Sequence, residues 1–270
     1  MKLAASNIGL PPFDHAALLP ELAGLGLEGL EVAPSRVWRD TGDGLGPAQV
    51  EAYRRSVERA GLRVVGLHSL FFDRPELGLF KPEQRERTLD FLVHLSGVCR
   101  DLGGRTLIYG GGRRRDSLPL ADARSECLAF LAELLPRIER HGTVLCFEPL
   151  GPKDTDFLNT AAECLAFAET VRHPAFGLQL DAKALADNGE SGPAPFAEAA
   201  ASGRLAHFHA NDPGLVVVGS TGTVDHAALG RHLRAVAYDG WVSIEQRMLS
   251  ETDPLADLSR SAETLRRCYS

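Results

Sequence analysis

The residues best placed to do chemistry are Glu148, Asp181, His209 and Glu245, and each occupies a similar point in a similar stretch. TVLCFEPL, Thr143 to Leu150, reads as a short buried strand that ends on Glu148 and is stopped by Pro149. FGLQLDAK (Phe176 to Lys183) ends on Asp181, RLAHFHANDP (Arg204 to Pro213) ends on His209, and GWVSIEQRM (Gly240 to Met248) carries Glu245. A buried strand should not finish on an unpaired carboxylate, because taking a bare charge out of water is expensive. A carboxylate at such an exit serves a metal or a substrate. One strand ending this way is ordinary; four in series point to a shared site.

Three carboxylates and one imidazole form a mostly hard, oxygen-rich donor set. It suits Mn2+ or Mg2+, with Zn2+ or Co2+ as further options. A plainer reading pairs the carboxylates with arginines and leaves His209 as a hydrogen-bonded core histidine. Repetition of the pattern on four strands favours the metal.

For the four groups to meet, their strands must lie side by side and deliver their C-terminal ends to one place. Lys2 to Ile8, Leu27 to Ala33, Leu62 to Leu70 and Arg105 to Tyr109 read as four earlier strands. Helical patterns follow them in turn: from a cap at Asp14 to about Leu25, from Pro47 to a stop at Gly61, from about Glu83 to Leu102, and from Leu120 to Arg140. The later helices run from Thr160 to about Val171, near Pro195 to Ala201, from Asp225 to about Val236, and from Pro254 to Tyr269. Eight strand–helix alternations without a linker or low-complexity tract predict a single-domain (β/α)8 barrel over residues 1–270. The competing doubly wound open sheet lacks its usual signature, since no G-x-G-x-x-G follows the first strand. In a barrel the active-site groups come from the strand C-termini, where all four candidates fall.

Composition agrees with this reading. The chain has 270 residues, 44% of them hydrophobic, which is enough for a sizeable core. Its net charge of -7 disfavours non-specific binding to nucleic acid or to an acidic membrane. Five scattered cysteines without a C-x-x-C pair read as reduced core residues of a cytoplasmic protein. MKLAASNIGL lacks a signal peptide's long apolar region, and no stretch is long and apolar enough to span a membrane.

The endings FEPL, LQLDAKAL, HFHAND and SIEQ resemble those of the xylose isomerase-like TIM barrel superfamily of sugar (phosphate) isomerases and epimerases, and the likeness runs along essentially the whole chain. That group includes ketose 3-epimerases, inosose dehydratases and isomerases, hydroxypyruvate isomerase and the endonuclease IV branch. The resemblance implies that the family's Glu–Asp–His–Glu metal set falls on Glu148, Asp181, His209 and Glu245, with the second histidine of HFH as the match. It also implies a metal that holds the carbonyl and hydroxyl oxygens of an open-chain sugar and stabilises the enediolate left by proton loss. Glu148 and Glu245 would pass that proton as general base and acid.

Three departures qualify the likeness. The histidine of the strand-six D-x-x-H is replaced by Ala184, no arginine follows His209 in HANDPGLVV, and a second glutamate six residues past Glu148 is replaced by Asp154. The first two weigh against direct transfer of ketose 3-epimerase activity. They weigh more against the endonuclease branch, whose three-zinc site needs extra histidines and whose acidic substrate favours a basic face. Ala184 points to one metal.

The substrate-binding candidates are His68, Asp154, Arg113 and Arg247. His68 closes strand three and either points into the same mouth or stays hydrogen-bonded in the core. Arg247 lies two residues past Glu245, so the strand period puts both on one face. The loop GGGRRRD, Gly110 to Asp116, allows close backbone approach. Its Arg113, Arg114 and Arg115 would hold a phosphate or carboxylate, or else form a solvated basic loop. GSTGT, Gly219 to Thr223, is a second candidate anion cradle. Glu31 ends strand two as support for the site, and His207 lies deeper than His209 as packing.

These features predict a divalent-metal-dependent isomerase or epimerase of a sugar, sugar phosphate or polyol-like substrate. It would have no nucleic-acid or membrane partner and would be compatible with homo-oligomers. The alternatives are a metal-dependent lyase of inosose or dehydroshikimate dehydratase type, and a sugar-binding barrel without catalysis.

Overall fold

Every expected strand forms, and most are shorter than their sequence signal. A computed structural model describes residues 1–42 and 44–270. The strands are β1 (Lys2–Ser6), β2 (Gly29–Val32), β3 (Arg63–Leu67), β4 (Thr106–Tyr109), β5 (Val144–Phe147), β6 (Phe176–Asp181), β7 (Leu205–Ala210) and β8 (Trp241–Ile244). Between them run α1 (Leu19–Gly24), α2 (Pro47–Arg59), α3 (Arg85–Asp101), α4 (Leu120–Ile138), α5 (Ala161–Val171), α6 (Ala182–Asp187), α7 (Ala194–Ala201) and α8 (His226–Ala235), with α9 (Pro254–Tyr269) after β8. Neighbouring strands are parallel, in the order β1 to β8. The barrel closes where β1 pairs with β8, Lys2 opposite Trp241 and Ala5 opposite Ile244.

Strand alternation divides the side chains between two environments. Leu30, Val32, Leu178, Leu180, Phe208, Val242 and Ile244 join the apolar core shared with the helices. The residues between them, Glu31, Gln179, His207, His209 and Ser243, are polar and buried on the other face, inside the barrel. Lower in the barrel, Ile108, Val144 and Cys146 form a small apolar plug with Ala206 packed against it. The barrel therefore has an apolar jacket and a polar upper lumen.

Helix starts follow local chemistry where a cap exists. Thr160 accepts from the Glu163 amide while Glu163 returns a bond to the Thr160 amide, a complete capping box. Asp225 and Asp253 cap α8 and α9. Asp14 does not cap the first helix: a 3-10 turn at Ala16–Leu18 precedes α1, and Pro20 falls in the first turn. A further helix was not expected after β6, where α6 starts directly on Asp181. The five cysteines are free and buried, and among the described residues no helix is long and apolar enough to cross a membrane.

The approach of β4 leaves no room for a side chain at Gly66 of β3. Gly66 lies opposite Thr106, and a Cβ at Gly66 would sit 2.1 Å from Thr106 Oγ1 and 2.3 Å from its carbonyl oxygen. Only a hydrogen fits there. Gly66→Ala should cost about 1–3 kcal/mol and lower Tm by several degrees; an unchanged thermal melt would show that the strands separate freely.

Candidate active site

Four neighbouring strands deliver the predicted donors to one end of the barrel. Glu148 and Glu245 are the first residues past β5 and β8, Asp181 is the last residue of β6, and His209 is next to last in β7. One donor atom from each lies within 4.8 Å of the others. His209 Nδ1 is 3.3 Å from Glu148 Oε1, 3.8 Å from Asp181 Oδ2 and 3.6 Å from Glu245 Oε2.

Each donor is held by a neighbour. His209 Nε2 is 2.9 Å from Glu31 Oε2, so this ring nitrogen donates and Nδ1 is the one that would offer a lone pair to a bound cation. Gln179 donates to Glu148 Oε1 at 2.7 Å. Asn211 donates from one amide to Asp181 Oδ2 at 2.6 Å and Glu245 Oε2 at 2.8 Å, while its oxygen accepts from the Lys183 amide. Asp181 Oδ1 accepts from the Ala184 amide at 2.8 Å, so the unexpected α6 orients this carboxylate by using it as an N-cap. Gly110 leaves room for Glu148, since a Cβ there would lie 1.9 Å from Oε2.

The electrostatics of the cluster show a shortage of positive charge. Burial, then the Glu148 and Glu245 carboxylates, push the Asp181 carboxyl well above its ordinary range. Burial opposes charge on His209, but Glu31 and then Glu245 hold its pKa well above the usual value. Glu245 feels the same burial, yet His209 and then His68 bring it down to about 2. Glu31 is held well below its usual range despite complete burial, through His209, His207 and His68.

These residues fit a divalent cation. His209 Nδ1 is buried without a hydrogen-bond partner. Its separations from the three carboxylates match the roughly 3–4 Å between ligands that share one ion at about 2.1 Å.

Around the cluster opens a cleft of about 560 Å³. His68, Asp154, Lys183 and Asn211 line it on the polar side, with Glu148, Asp181, His209 and Glu245 in its floor. His68 Nε2 is 2.5 Å from Ser6 Oγ and its Nδ1 is 3.6 Å from Glu245 Oε1, so the histidine is both buried and at the mouth. Asp154 pairs with Lys183 Nζ at 2.8 Å, and Asp187 pairs with the same ammonium at 2.8 Å.

A model of the xylose isomerase-like TIM barrel family matches residues 19–268. The chain belongs to that family. An L-ribulose 3-epimerase of Mesorhizobium japonicum is 30% identical over 162 residues, 59% of this chain and 54% of that protein, so the match spans about half the relative's length. Among solved structures, the 3-keto-D-glucoside 4-epimerase of E. coli aligns with a TM-score of 0.83 at 21% identity, over 99% of this chain and 100% of that one. The D-psicose 3-epimerase of Clostridium cellulolyticum H10 aligns with a TM-score of 0.81 at 16% identity, over 100% of both chains. At these identities the structural likeness is one of fold.

Within this family barrel, the arginine candidates are placed otherwise than expected. Arg113 is neither solvated nor at the mouth: it is fully buried. Its guanidinium donates to the carbonyls of Gly110, Phe157 and Glu148, and it stacks 4.9 Å from the centre of the Phe147 ring. Arg114 bonds the Lys153 carbonyl, and Arg115 bonds the carbonyls of Asp156 and Leu118. Arg247 is exposed and does not share a strand face with Glu245, because β8 ends at Ile244 and the two-residue period stops there. The GSTGT cradle is filled by the chain's own Asp212, which accepts from the Gly219 amide and the Thr221 hydroxyl. His207 stays below the cluster, 3.2 Å from Glu31 Oε1.

Two outcomes test this arrangement. Protein purified with Mn2+ should retain about one ion per chain and gain several degrees of Tm from it, whereas Asp181→Ala and His209→Ala should lose both; full metal content in both variants would remove the site. Arg113→Ala should lose at least about 3 kcal/mol, because charged hydrogen bonds to buried carbonyls disappear together. Arg114→Ala should melt like the parent protein, and equal melts for all three proteins would return Arg113 to the surface.

Proposed function

We propose that this protein is a divalent-metal-dependent sugar epimerase, exchanging a proton at a carbon next to a carbonyl. The observation that carries the reading is the split use of the two glutamates. Glu148 turns Oε1 toward His209 and leaves Oε2 beside Gly110; Glu245 turns Oε2 toward His209 and leaves Oε1 beside His68. Each therefore has one oxygen for the cation and one for a proton, with β6 and β7 between the strands that carry them. A bound Mn2+ or Mg2+, or Zn2+ or Co2+ in the same donors, would supply Lewis-acid stabilisation of negative charge on the substrate oxygens.

The chain's own residues do the rest. Glu245, ionised at neutral pH, takes or returns a proton on one side of the carbon, and Glu148 serves the other. Gln179 and Asn211 keep their ligand oxygens from rotating. Asp154 and Lys183 stand at the polar rim, within reach of hydroxyl groups away from the reacting carbon.

Charge favours an uncharged sugar over a phosphorylated one. The cleft presents Glu148, Asp154, Asp181 and Glu245 against one lysine, and that lysine is already shared by Asp154 and Asp187. Arginines that would hold a phosphate are spent on backbone carbonyls. The relatives' names agree on epimerisation of sugars while differing in the sugar.

Glu148→Gln and Glu245→Gln should each lower kcat by 10²-fold or more, on the scale of general acid–base catalysis, with KM little changed. Solvent deuterium should enter the epimerised carbon only with the parent enzyme. Metal content measured on the same preparations separates a lost proton carrier from a lost ligand. Turnover in both glutamine variants would overturn the assignment, and a product lacking water would make the protein a lyase.

A further inference from the structure

The cleft is larger than a monosaccharide and has two chemically different halves. It holds about 560 Å³, whereas a six-carbon sugar fills the space of about six waters, roughly 180 Å³ at about 30 Å³ each. The polar half carries the four donors, Asp154, Lys183 and Asn211. The loop after β3 adds carbon to the lining: Leu70, Phe71, Phe72, Pro75 and Leu77.

Phe72 is the telling residue of that wall. It is 78% exposed, the most of the exposed large hydrophobic side chains Phe13, Phe72, Leu120 and Leu249, and it lines the cleft. Its neighbour Phe71 packs on Tyr109 and Phe91, with ring centroids 5.1 and 6.0 Å away. The loop that carries both rings is tied down. Phe72 N donates to Ser69 O, Arg74 N to Phe71 O and Leu77 N to Arg74 O, and Thr41 Oγ1 donates to Asp73 Oδ2 at 2.7 Å. Ser69 takes a left-handed φ of 52° at the start of the turn, a conformation disfavoured for a residue with a Cβ. A rigid turn thus presents a bare aromatic face to the same space that holds the catalytic glutamates. Large apolar surface displayed in a cleft marks a binding site.

We propose that this wall is a second subsite, for an apolar or aromatic substituent on the sugar, and that the substrate is a glycoside rather than a free monosaccharide. The inference rests on the epimerase reading for the sugar ring itself. A glycosidic substituent locks the sugar as a ring, so the carbonyl beside the exchanging C–H is a ring ketone. One proton leaves that carbon and one returns on the opposite face, so the step balances without oxidant, reductant or co-reactant. The substituent lies against Phe72 while the ring lies over the glutamates.

The test measures binding to the metal-loaded full-length protein by calorimetry, with phenyl β-D-glucoside, methyl β-D-glucoside and D-fructose as probes. Phenyl glucoside should bind about tenfold more tightly than methyl glucoside, the scale of one aromatic contact with its burial. Phe72→Ala should erase that ratio; Phe13→Ala, an exposed aromatic outside the cleft, should leave it intact. A ratio near one in the parent protein, a ratio that survives Phe72→Ala, or no binding of either glucoside would overturn the subsite. If sedimentation then showed a dimer that depends on Phe72, the aromatic would belong to a contact between copies. The glucosides carry no ketone, so the ratio is independent of turnover. Phe72-dependent binding without deuterium exchange into any keto sugar would refute the epimerase reading alone, and exchange into fructose with a ratio of one would refute the subsite alone.

Discussion

The site depends on the buried pair of Glu31 and His209. Glu31 is fully buried at the end of β2, where an isolated carboxylate would be neutralised by its surroundings. It stays ionised because His209 and His207 meet its two oxygens at 2.9 and 3.2 Å. In return it holds Nε2 as the donor, so that Nδ1 faces the three carboxylates. Without Glu31 the imidazole would have no reason to present Nδ1 upward. The pair also explains why the upper lumen is polar while the lower lumen is plugged by Ile108, Val144 and Cys146. Ionic residues are concentrated only where they have partners.

The barrel makes this crowding affordable by sharing restraints among neighbouring strands. Gln179, one strand position from the apolar core, reaches back to Glu148 on β5. Asn211, just past β7, ties Asp181 on β6 to Glu245 beyond β8. From outside the lumen, Arg113 bonds the Glu148 carbonyl and stacks on Phe147, so a buried cation holds the backbone at the point where the strand gives way to its loop. Glu148 is therefore fixed by its own strand, by Gln179 on β6, and by the loop after β4 through Arg113 and the gap left at Gly110.

Much of this was legible in the chain, and the physical reason is periodicity. Alternating and 3.6-residue patterns report which face is buried, so strands, helices and closure could be read. The four donors stood out because each broke an apolar run at its end. Strand ends were less legible, since apolar loop residues such as Leu150 and Met248 prolong the pattern after the ladder stops. That excess misplaced Arg247, which was assigned a face that only a continuing strand would have. Gln179 and Asn211 carried no signal of their own: a buried amide is recognisable only by its partners, which lie on other strands. A polar residue inside an otherwise apolar strand, as Gln179 is in FGLQLD, was the one available hint. The arginine run misled in the opposite direction, because charge suggests solvent, while burial of Arg113 is set by carbonyls distant in sequence.

The departures from the family pattern make physical sense together. At Ala184 the backbone amide, not a side chain, serves the site, through its bond to Asp181. The adjacent Lys183 turns its ammonium to the cleft rim and there meets Asp154, whose arm is one methylene shorter than a glutamate's. The one lysine of the rim is thereby taken up by Asp154 and Asp187, and under the proposed reading the floor carboxylates serve the cation and the proton. With no arginine after His209, that loop brings the apolar Leu215 to the cleft lining. Charge is thus paired on the side of β5 and β6, while the loop after β3 presents carbon. Under the proposed subsite, the outer cleft would take the part of a substrate that has no hydroxyls to offer.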